Sequence, residues 1–305
     1  MNFLVDDYID ADVSYFAGLL IARGEIAEIY GIKQVLLHFP FSSLLLQGRD
    51  KKKYDQETSI KLGLNNIRER LQELFDTDIS IIEYENHIDL AIRFLRKNMI
   101  WRNILLLTNG ETSFHRFSVP NILFNEQIPK EWKMEFIRGF ADVAGNIRRS
   151  NRDQNKPGIN RVRLDILNHK HNWHLPVQLC ELLQKQLDIP VNCITWGHPN
   201  NNREWREHQL NIYTVPFLKI GFSFEHKQNL LIGFAKDDRK NHPKKKYNHC
   251  PGIKRIRKKE KNKEEKNKDR LDPSLLNKHF DAGWQICKEL GCYACIESEK
   301  KKTNK

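Results

Sequence analysis

Residues 136–146 read Phe-Ile-Arg-Gly-Phe-Ala-Asp-Val-Ala-Gly-Asn, and the same pattern occurs in weaker form near the N-terminus. There, residues 15–25 read Tyr-Phe-Ala-Gly-Leu-Leu-Ile-Ala-Arg-Gly-Glu. Aligning the two stretches places Gly18 on Gly139 and Gly24 on Gly145, and each stretch begins as an apolar helix that stops at a glycine. The chain therefore contains an internal repeat.

The glycines within these stretches predict close packing of two helices. Gly18 lies four residues before Ala22, so both share one face of a helix, and the second stretch repeats this spacing. A face this small lets two helix backbones approach each other. Gly24 and Gly145 suit a helix C-terminus, where glycine tolerates the left-handed backbone conformation. The alternative interpretation is two unrelated buried helices that each contain a glycine.

The two stretches resemble the paired signature helices of the LAGLIDADG homing endonucleases. Residues 16–24 and 137–145 stand in the nine motif places, and the segments 119–124 and 128–133 are also similar to this family. The resemblance implies that the helices pack at a pseudo-twofold axis. It also implies that the acid before each closing glycine binds the divalent metal ions that cut DNA. In this chain those two places hold Arg23 and Ala144, and neither can serve as a metal-binding carboxylate.

The composition indicates a nucleic-acid partner. The chain has 305 residues, a formal net charge of +12 and a pI near 9.3, and a basic balance of this size points to a polyanion. The alternative is that the charge serves only solubility. There is no run of eighteen apolar residues, and the N-terminus lacks the basic start and apolar stretch of a signal peptide. We expect an intracellular protein, in the cytoplasm or nucleoid, with no membrane partner.

The order helix, two strands, helix, two strands, helix occurs twice along the chain. Strands are predicted at 25–30, 33–39, 79–84, 87–92, 146–150, 161–167, 191–196 and 208–214. Further helices are predicted at 57–75, 95–107 and 174–187, and Asp10 or Asp12 is expected to cap the first motif helix. The predicted class is α/β (α+β): a duplicated, pseudo-twofold LAGLIDADG-like monomer with mixed or antiparallel DNA-binding sheets and a basic C-terminal extension. The predicted divisions are a first half at 1–125, a second half at 126–235, a Lys-rich flexible arm at 236–271 and a short helical, Cys-containing tail at 272–305.

The clearest sequence pattern for a DNA-binding face lies in the second half. Polar and apolar residues alternate along 161–167, so Arg161, Arg163 and Asp165 are expected on one sheet face. Arginine, asparagine and glutamine on a two-stranded ribbon have the geometry to read base edges in the major groove. The alternative is an ordinary solvated sheet face. The predicted DNA-contacting residues of the two halves are Lys33, Gln34, Arg148, Arg149, Arg161, Arg163, Gln209 and Asn211.

The C-terminal region changes in composition from residue 236 onward. It is rich in lysine, with too little apolar material to fold unaided, and Lys254, Arg255 and Arg257 are predicted to contact phosphates. Cysteines cluster near the end of the chain. A tetrahedral zinc site is one interpretation of this spacing, and reduced cysteines without metal are the other. The candidate zinc ligands are Cys250, Cys287, Cys292 and Cys295.

With the usual acid places substituted, Glu25 and Asp142 are the remaining catalytic candidates. Two-metal cleavage of a phosphodiester would need carboxylates to hold Mg²⁺ ions, while Asp142 has a simpler role as a brace between the motif helices. The sequence therefore predicts a sequence-specific binder of double-stranded DNA that does not cut at the usual site. One alternative is a site-specific endonuclease, of homing or restriction type, with relocated carboxylates. Another is a DNA-binding regulator that acts through a partner held by the tail.

Overall fold

The chain folds as two halves that share the order helix, two strands, helix, two strands, helix, and each half adds one short helix of four residues at a different place. The computed structural model describes residues 9–46, 50, 52–94, 98–149, 158–169, 174–195 and 205–247. The first half contains α1 (Ala11–Arg23), β1 (Gly24–Ile29), β2 (Ile32–Pro40), α2 (Phe41–Leu44), α3 (Gln56–Phe75), β3 (Ile79–Glu83), β4 (His87–Phe94) and α4 (Asn98–Leu107). The second half contains α5 (Lys130–Ala144), β5 (Gly145–Arg148), β6 (Arg161–His169), α6 (His174–Glu181), β7 (Val191–Thr195), β8 (Trp205–Tyr213), α7 (Thr214–Phe217) and α8 (Glu225–Asn241).

Each half contributes one four-stranded sheet, and the two sheets have equivalent topologies. The strand orders are β1-β2-β4-β3 and β5-β6-β8-β7, and every pairing is antiparallel. The helices cover the apolar face of each sheet, where residues such as Leu37, Leu90, Leu164 and Leu210 are fully buried. The predicted α/β class and the duplication are confirmed, and the sheets are antiparallel rather than mixed.

The centre of the fold is a reciprocal contact between α1 and α5. A Cβ atom added to Gly18 would overlap the carbonyl oxygen of Phe136 and come within 2.8 Å of the amide nitrogen of Phe140. A Cβ atom added to Gly139 would likewise overlap the carbonyl oxygen of Tyr15. Because Gly18 aligns with Gly139 and Tyr15 with Phe136 in the repeat, the contact is self-complementary, as at a twofold axis. The prediction of close helix packing is confirmed.

The glycines that end the motif helices are required by the lack of room for a side chain and not by their backbone conformation. Gly24 (φ −102°, ψ 147°) and Gly145 (φ −91°, ψ 133°) are extended, because each helix runs directly into a strand. The prediction of a left-handed conformation was therefore wrong. A Cβ atom at Gly24 would lie 2.6 Å from the carbonyl oxygen of Leu20, and one at Gly145 would lie 2.8 Å from the ring of Phe222. Glycine is needed at both positions because there is no room for a side chain.

Local signals in the sequence account for several boundaries. The side chain of Asp10 accepts a hydrogen bond from the amide of Val13 at 2.7 Å and caps α1. Tyr30 (φ 51°) and Gly31 (φ 77°) both have positive φ, as the tight turn of the β1–β2 hairpin requires. The helix predicted over 174–187 is divided, since α6 ends at Glu181 and a π-helical turn spans Leu182–Gln186.

The last helix differs most from the sequence-based prediction. α8 continues to Asn241, so the predicted start of the Lys-rich arm at residue 236 falls inside a helix. Asp238, near its end, is 1% exposed and accepts hydrogen bonds from the amide and side chain of Asn160 and from the hydroxyl of Thr214. This helix therefore belongs to the packed second half. Among the helices of the described ranges, none combines the length and the apolar character needed to cross a membrane.

Candidate nucleic-acid interface

One face of the second sheet carries a dense set of hydrogen-bonding side chains. Strand pairing aligns Arg161 between Arg148 on β5 and Tyr213 on β8. On the opposite face Val162 and Leu164 are fully buried, which confirms the predicted alternation along β6. The face away from the helices is called the second outer face. Its residues are Asn146, Arg148, Arg161, Arg163, Asp165, Gln209, Asn211 and Tyr213.

The corresponding face of the first sheet has a different character. Gln34 lies opposite Arg93, and His38 lies opposite Asp89. The small or apolar side chains of Ala27, Leu36 and Ala91 lie among these polar groups. On these three strands the face carries one arginine and two acidic residues. We call it the first outer face. Its residues on β1, β2 and β4 are Glu25, Ala27, Gln34, Leu36, His38, His87, Asp89, Ala91 and Arg93.

Two of the predicted DNA-contacting residues point away from the outer faces. Lys33 alternates with Gln34 along β2, and its ammonium group lies 5.8 Å from the ring centroid of Trp101 on α4. Arg149 follows the last residue of β5 and donates to both carboxylate oxygens of Asp50, at 2.8 and 3.0 Å. Successive residues of a strand point to opposite faces. The sequence-based prediction placed Lys33 together with Gln34, and Arg148 together with Arg149, so one residue of each pair had to point away.

The places of the usual metal-binding acids do not fit a metal ion. Arg23 is 9% exposed, and its guanidinium donates to the carbonyl oxygens of Ala22 at 2.8 Å and of Asp165 at 3.1 Å. The same group lies 5.3 Å from the ring centroid of Phe114. Ala144, the equivalent residue of α5, is fully buried and has no ligand atom. A fixed positive charge therefore lies at the end of α1, in one of the two places that the resemblance assigns to a metal-binding acid.

Asp165 is the centre of a polar network on the second outer face. Its carboxylate accepts hydrogen bonds from Nη2 of Arg163 at 2.8 Å and from the side chain of Asn146 at 2.7 Å. Its backbone oxygen accepts a hydrogen bond from the guanidinium of Arg23 in the other half. The charge-assisted hydrogen bond to Asp165 restrains the side chain of Arg163. With Arg23, this group of residues carries a net positive charge.

Glu25 lies on the first outer face, directly after the closing glycine of α1. Ser113 donates to its carboxylate at 2.7 Å. Partial burial raises the pKa of Glu25, while the hydrogen bond from Ser113 and the proximity of His38 act in the opposite direction. The side chain is half-buried, so it has access to the outer surface.

Asp142 is enclosed between the motif helices and α8. It accepts hydrogen bonds from the hydroxyl of Tyr15 at 2.8 Å and from the amide of Ser223 at 2.9 Å, and it is fully buried, which raises its pKa. The ammonium of Lys227 donates to the carbonyl oxygens of Asp142 and Gly145 at 3.1 Å each. Burial lowers the pKa of Lys227 to about 8, against the effect of the nearby carboxylate. The geometry is that of a brace at the end of α5, and the carboxylate has no opening to the outer faces.

Several functional candidates were missed in the sequence or lie outside the described residues. The cluster of His38, His87 and Asp89 was missed because it forms only through the register of β2 and β4. The contact of Lys227 with α5 was missed because nothing in the local sequence distinguishes this lysine from the others of α8. The phosphate-contact candidates Lys254, Arg255 and Arg257 lie outside the described residues. So do the zinc-ligand candidates Cys250, Cys287, Cys292 and Cys295.

Comparison with known proteins gives matches in structure only. No family model matches the sequence, and no curated protein matches it. The structures that the chain resembles are LAGLIDADG proteins. I-DmoI in complex with DNA and Mn has a TM-score of 0.39 and 15% identity, with 72% of this chain and 96% of that chain covered.

Two further solved structures have comparable values. The homing endonuclease I-WcaI bound to its DNA recognition sequence has a TM-score of 0.41 and 11% identity, with 72% of this chain and 87% of that chain covered. The N-terminal LAGLIDADG domain of WhiA has a TM-score of 0.36 and 10% identity, with 74% and 92% covered.

Proposed function

We propose that this protein binds duplex DNA sequence-specifically through its two outer faces and does not cleave it at the ends of α1 and α5. The proposal rests on the second outer face. Arg148 and Arg161 lie directly opposite each other on β5 and β6, where two like charges repel. Two guanidinium groups side by side on a sheet face suit the negative charge of a DNA phosphate or the hydrogen-bond acceptors O6 and N7 of a guanine.

The neighbouring side chains match base edges. Gln209 and Asn211 alternate along β8 on the same face as Arg161, and amides of this kind pair with adenine while arginine pairs with guanine. The hydrogen bond from Arg163 to Asp165 restrains the guanidinium, which lowers the entropy lost when it contacts a base.

The two outer faces would read two unequal half-sites. The pseudo-twofold contact of α1 and α5 places one sheet on each side of the axis, but only the second outer face is rich in arginine and amides. We therefore expect strict base preference over the half-site that contacts the second outer face and weaker preference over the other half.

Selection from a random duplex library tests the proposal. The full chain is incubated with the library in EDTA and the bound DNA is sequenced, and the same library is then incubated in Mg²⁺ and sequenced for new ends. We expect a bound motif with intact DNA in Mg²⁺. Recovery of sequences with no common motif would contradict sequence-specific binding.

Charge-matched variants locate the interface. Arg161→Ala removes a positive charge from the second outer face, and Lys61→Ala removes one from the exposed surface of α3. Loss of a base contact costs about 1–3 kcal/mol, or roughly 5- to 150-fold in affinity for the selected motif. We expect this loss for Arg161→Ala and little change for Lys61→Ala. Equal losses in both variants would mean that the second outer face is not the interface.

A second candidate function, DNA cleavage with a relocated carboxylate, is favoured by one observation. Glu25 combines a raised pKa with a position on the first outer face, beside the closing glycine of α1. If ends appear at a fixed place within the bound motif in Mg²⁺, Glu25→Gln is expected to abolish them while leaving DNA binding in EDTA intact.

A further inference from the structure

We propose that His38, His87 and Asp89 form a binding site for one divalent transition-metal ion of the zinc type. The site lies on the first outer face and is separate from the motif places held by Arg23 and Ala144. It does not depend on the DNA-binding function proposed above, because the ion is expected to bind the free protein.

Strand register brings the three side chains together. β2 and β4 pair antiparallel, so His38 lies directly opposite Asp89, and His87 lies two residues earlier on the same face of β4. The Nδ1 atom of His38 is 2.7 Å from Oδ1 of Asp89, and the Nε2 atom of His87 is 3.3 Å from the same oxygen. One ligand atom from each residue lies within 4.8 Å of the other two.

These distances are close to those around a bound zinc ion. Bonds of about 2.0–2.2 Å to imidazole nitrogen and carboxylate oxygen place tetrahedral ligand atoms roughly 3.3 Å apart. The pair formed by His87 and Asp89 already has this separation. The pair formed by His38 and Asp89 would open by roughly 0.6 Å on the same bond lengths, which side-chain rotation can supply.

The imidazole of His87 is held in the orientation that metal binding needs. Its Nδ1 atom lies 2.5 Å from the side-chain oxygen of Asn86, and its Nε2 atom lies 3.3 Å from Oδ1 of Asp89. A proton on Nδ1 that is donated to Asn86 leaves the lone pair of Nε2 for an ion. The ring of Tyr84 stacks on the imidazole, with centroids 4.7 Å apart and planes 11° apart. Metal-binding histidines are commonly oriented by an oxygen acceptor on the second ring nitrogen.

Exposure indicates a site with open coordination positions. The side chain of Asp89 is 5% exposed and lies beneath the two imidazoles, which are 23% and 29% exposed. Three protein ligands on one side leave the outer side for water, the pattern of reactive rather than structural zinc sites. Glu25 on the adjacent strand adds negative charge close to His38.

Titration with Co²⁺ tests the site, since its visible absorption reports the coordination of the ion. The cysteines outside the described residues could also bind the ion. The full chain is therefore used with Cys250, Cys287, Cys292 and Cys295 replaced by serine. We expect one Co²⁺ per chain, displaced by Zn²⁺, and at least roughly 100-fold weaker binding in His38→Gln and His87→Gln. His115→Gln is the control, because His115 lies beside Phe114 and outside the three-residue cluster.

A second variant keeps the test decisive if a ligand substitution disturbs folding. Asn86→Ala removes the acceptor that orients His87 and leaves all three ligands in place, and we expect 10- to 100-fold weaker binding, as for other outer-shell partners. Circular dichroism checks that each variant is folded. Undiminished binding in His38→Gln, His87→Gln and Asn86→Ala, or the absence of Co²⁺ binding by the serine-substituted chain, would overturn the proposal.

Discussion

Single residues at the pseudo-twofold axis determine how closely the two halves approach. Gly18 and Gly139 face backbone carbonyl oxygens of the opposite helix, and a methyl group at either position would overlap that oxygen. Backbone atoms cannot rotate away as the end of a side chain can, so the helices would have to separate. This separation would open the packed core on both sides of the contact.

We predict that Gly18→Ala lowers the free energy of unfolding by about 1–3 kcal/mol, because overpacking and helix displacement exceed the gain in helix propensity. Gly233→Ala is the matched control, since nothing lies within 4 Å of a Cβ atom at this position of α8. It is expected to stabilise the fold by roughly 0.5–1 kcal/mol. Urea denaturation measures both, and equal effects of the two substitutions would exclude a steric role for Gly18.

Titration of the single side chain of His226 makes the free energy of unfolding depend on pH. It is 2% exposed, with Nε2 2.9 Å from the carbonyl oxygen of Leu44 and Nδ1 2.8 Å from the hydroxyl of Ser59. Burial lowers its pKa from 6.5 to about 4. Between these values the unfolded chain binds a proton that the folded chain does not, so stability is lost as the pH falls through this window.

We predict that the wild type loses about 2 kcal/mol more than His226→Gln between pH 7.5 and pH 5, on the arithmetic of one proton-linked group. Urea denaturation at both pH values measures the difference. Comparing the two proteins removes the contribution of other groups such as Asp142, whose raised pKa has the opposite sign. If the loss were the same in both proteins, His226 would not be the responsible group.

At the scale of elements, α8 connects parts of the chain that are distant in sequence. Near its start, His226 contacts α2 and α3, and Lys227 caps the end of α5. Near its end, Asp238 holds Asn160, which precedes β6, and Thr214, which follows β8. The helix therefore connects the second sheet to the end of α5 and to α2 and α3 of the first half. Its last turn is structural although the local sequence is already rich in lysine and aspartate.

We predict that Asp238→Ala destabilises the protein by about 2–4 kcal/mol, because it leaves buried donors of Asn160 and Thr214 without their acceptor. Asp237→Ala is the matched control: it removes the same charge from the exposed neighbouring position and is expected to change stability by less than about 0.5 kcal/mol. Thermal and urea unfolding measure both variants. A comparable cost at both positions would show that net charge, rather than the buried anchor, determines the effect.

At the scale of the whole molecule, the symmetric backbone carries an asymmetric charge. The first outer face holds acids and histidines, the second holds arginines and amides, and Arg23 from the first half extends to Asp165 in the second. The formal net charge of +12 adds a long-range attraction for a polyanion that does not depend on its sequence.

We predict a steep salt dependence of DNA affinity, to which the Lys-rich segment contributes. Each phosphate contact adds about 0.9 to the slope of log K against log salt concentration. Replacing Lys254, Arg255 and Arg257 with glutamine is expected to lower that slope by roughly 2–3 and to leave the preferred sequence unchanged. Fluorescence anisotropy over a salt series measures the slope. An altered sequence preference would instead indicate base contacts from this segment.

The sequence alone determined the duplicated architecture and much of the second outer face. The spacing of Gly18 and Gly139 sets the central helix contact because side-chain volume acts locally, and the alternation along β6 assigns Arg161 and Arg163 to one face because the strand period is two. The substitution of both acid places by Arg23 and Ala144 was also visible without coordinates.

Only the tertiary structure decided which residues meet across the fold. His38 and Asp89 are brought together by the register of β2 and β4, and Arg23 reaches Asp165 across 142 positions of sequence. The first sheet shows no clear alternation in the sequence because residues 35–37 of β2 are apolar in succession, so the flanking polar residues could not be assigned to a face. Register and long-range contacts depend on how the whole core packs, and no local pattern of residues contains that information.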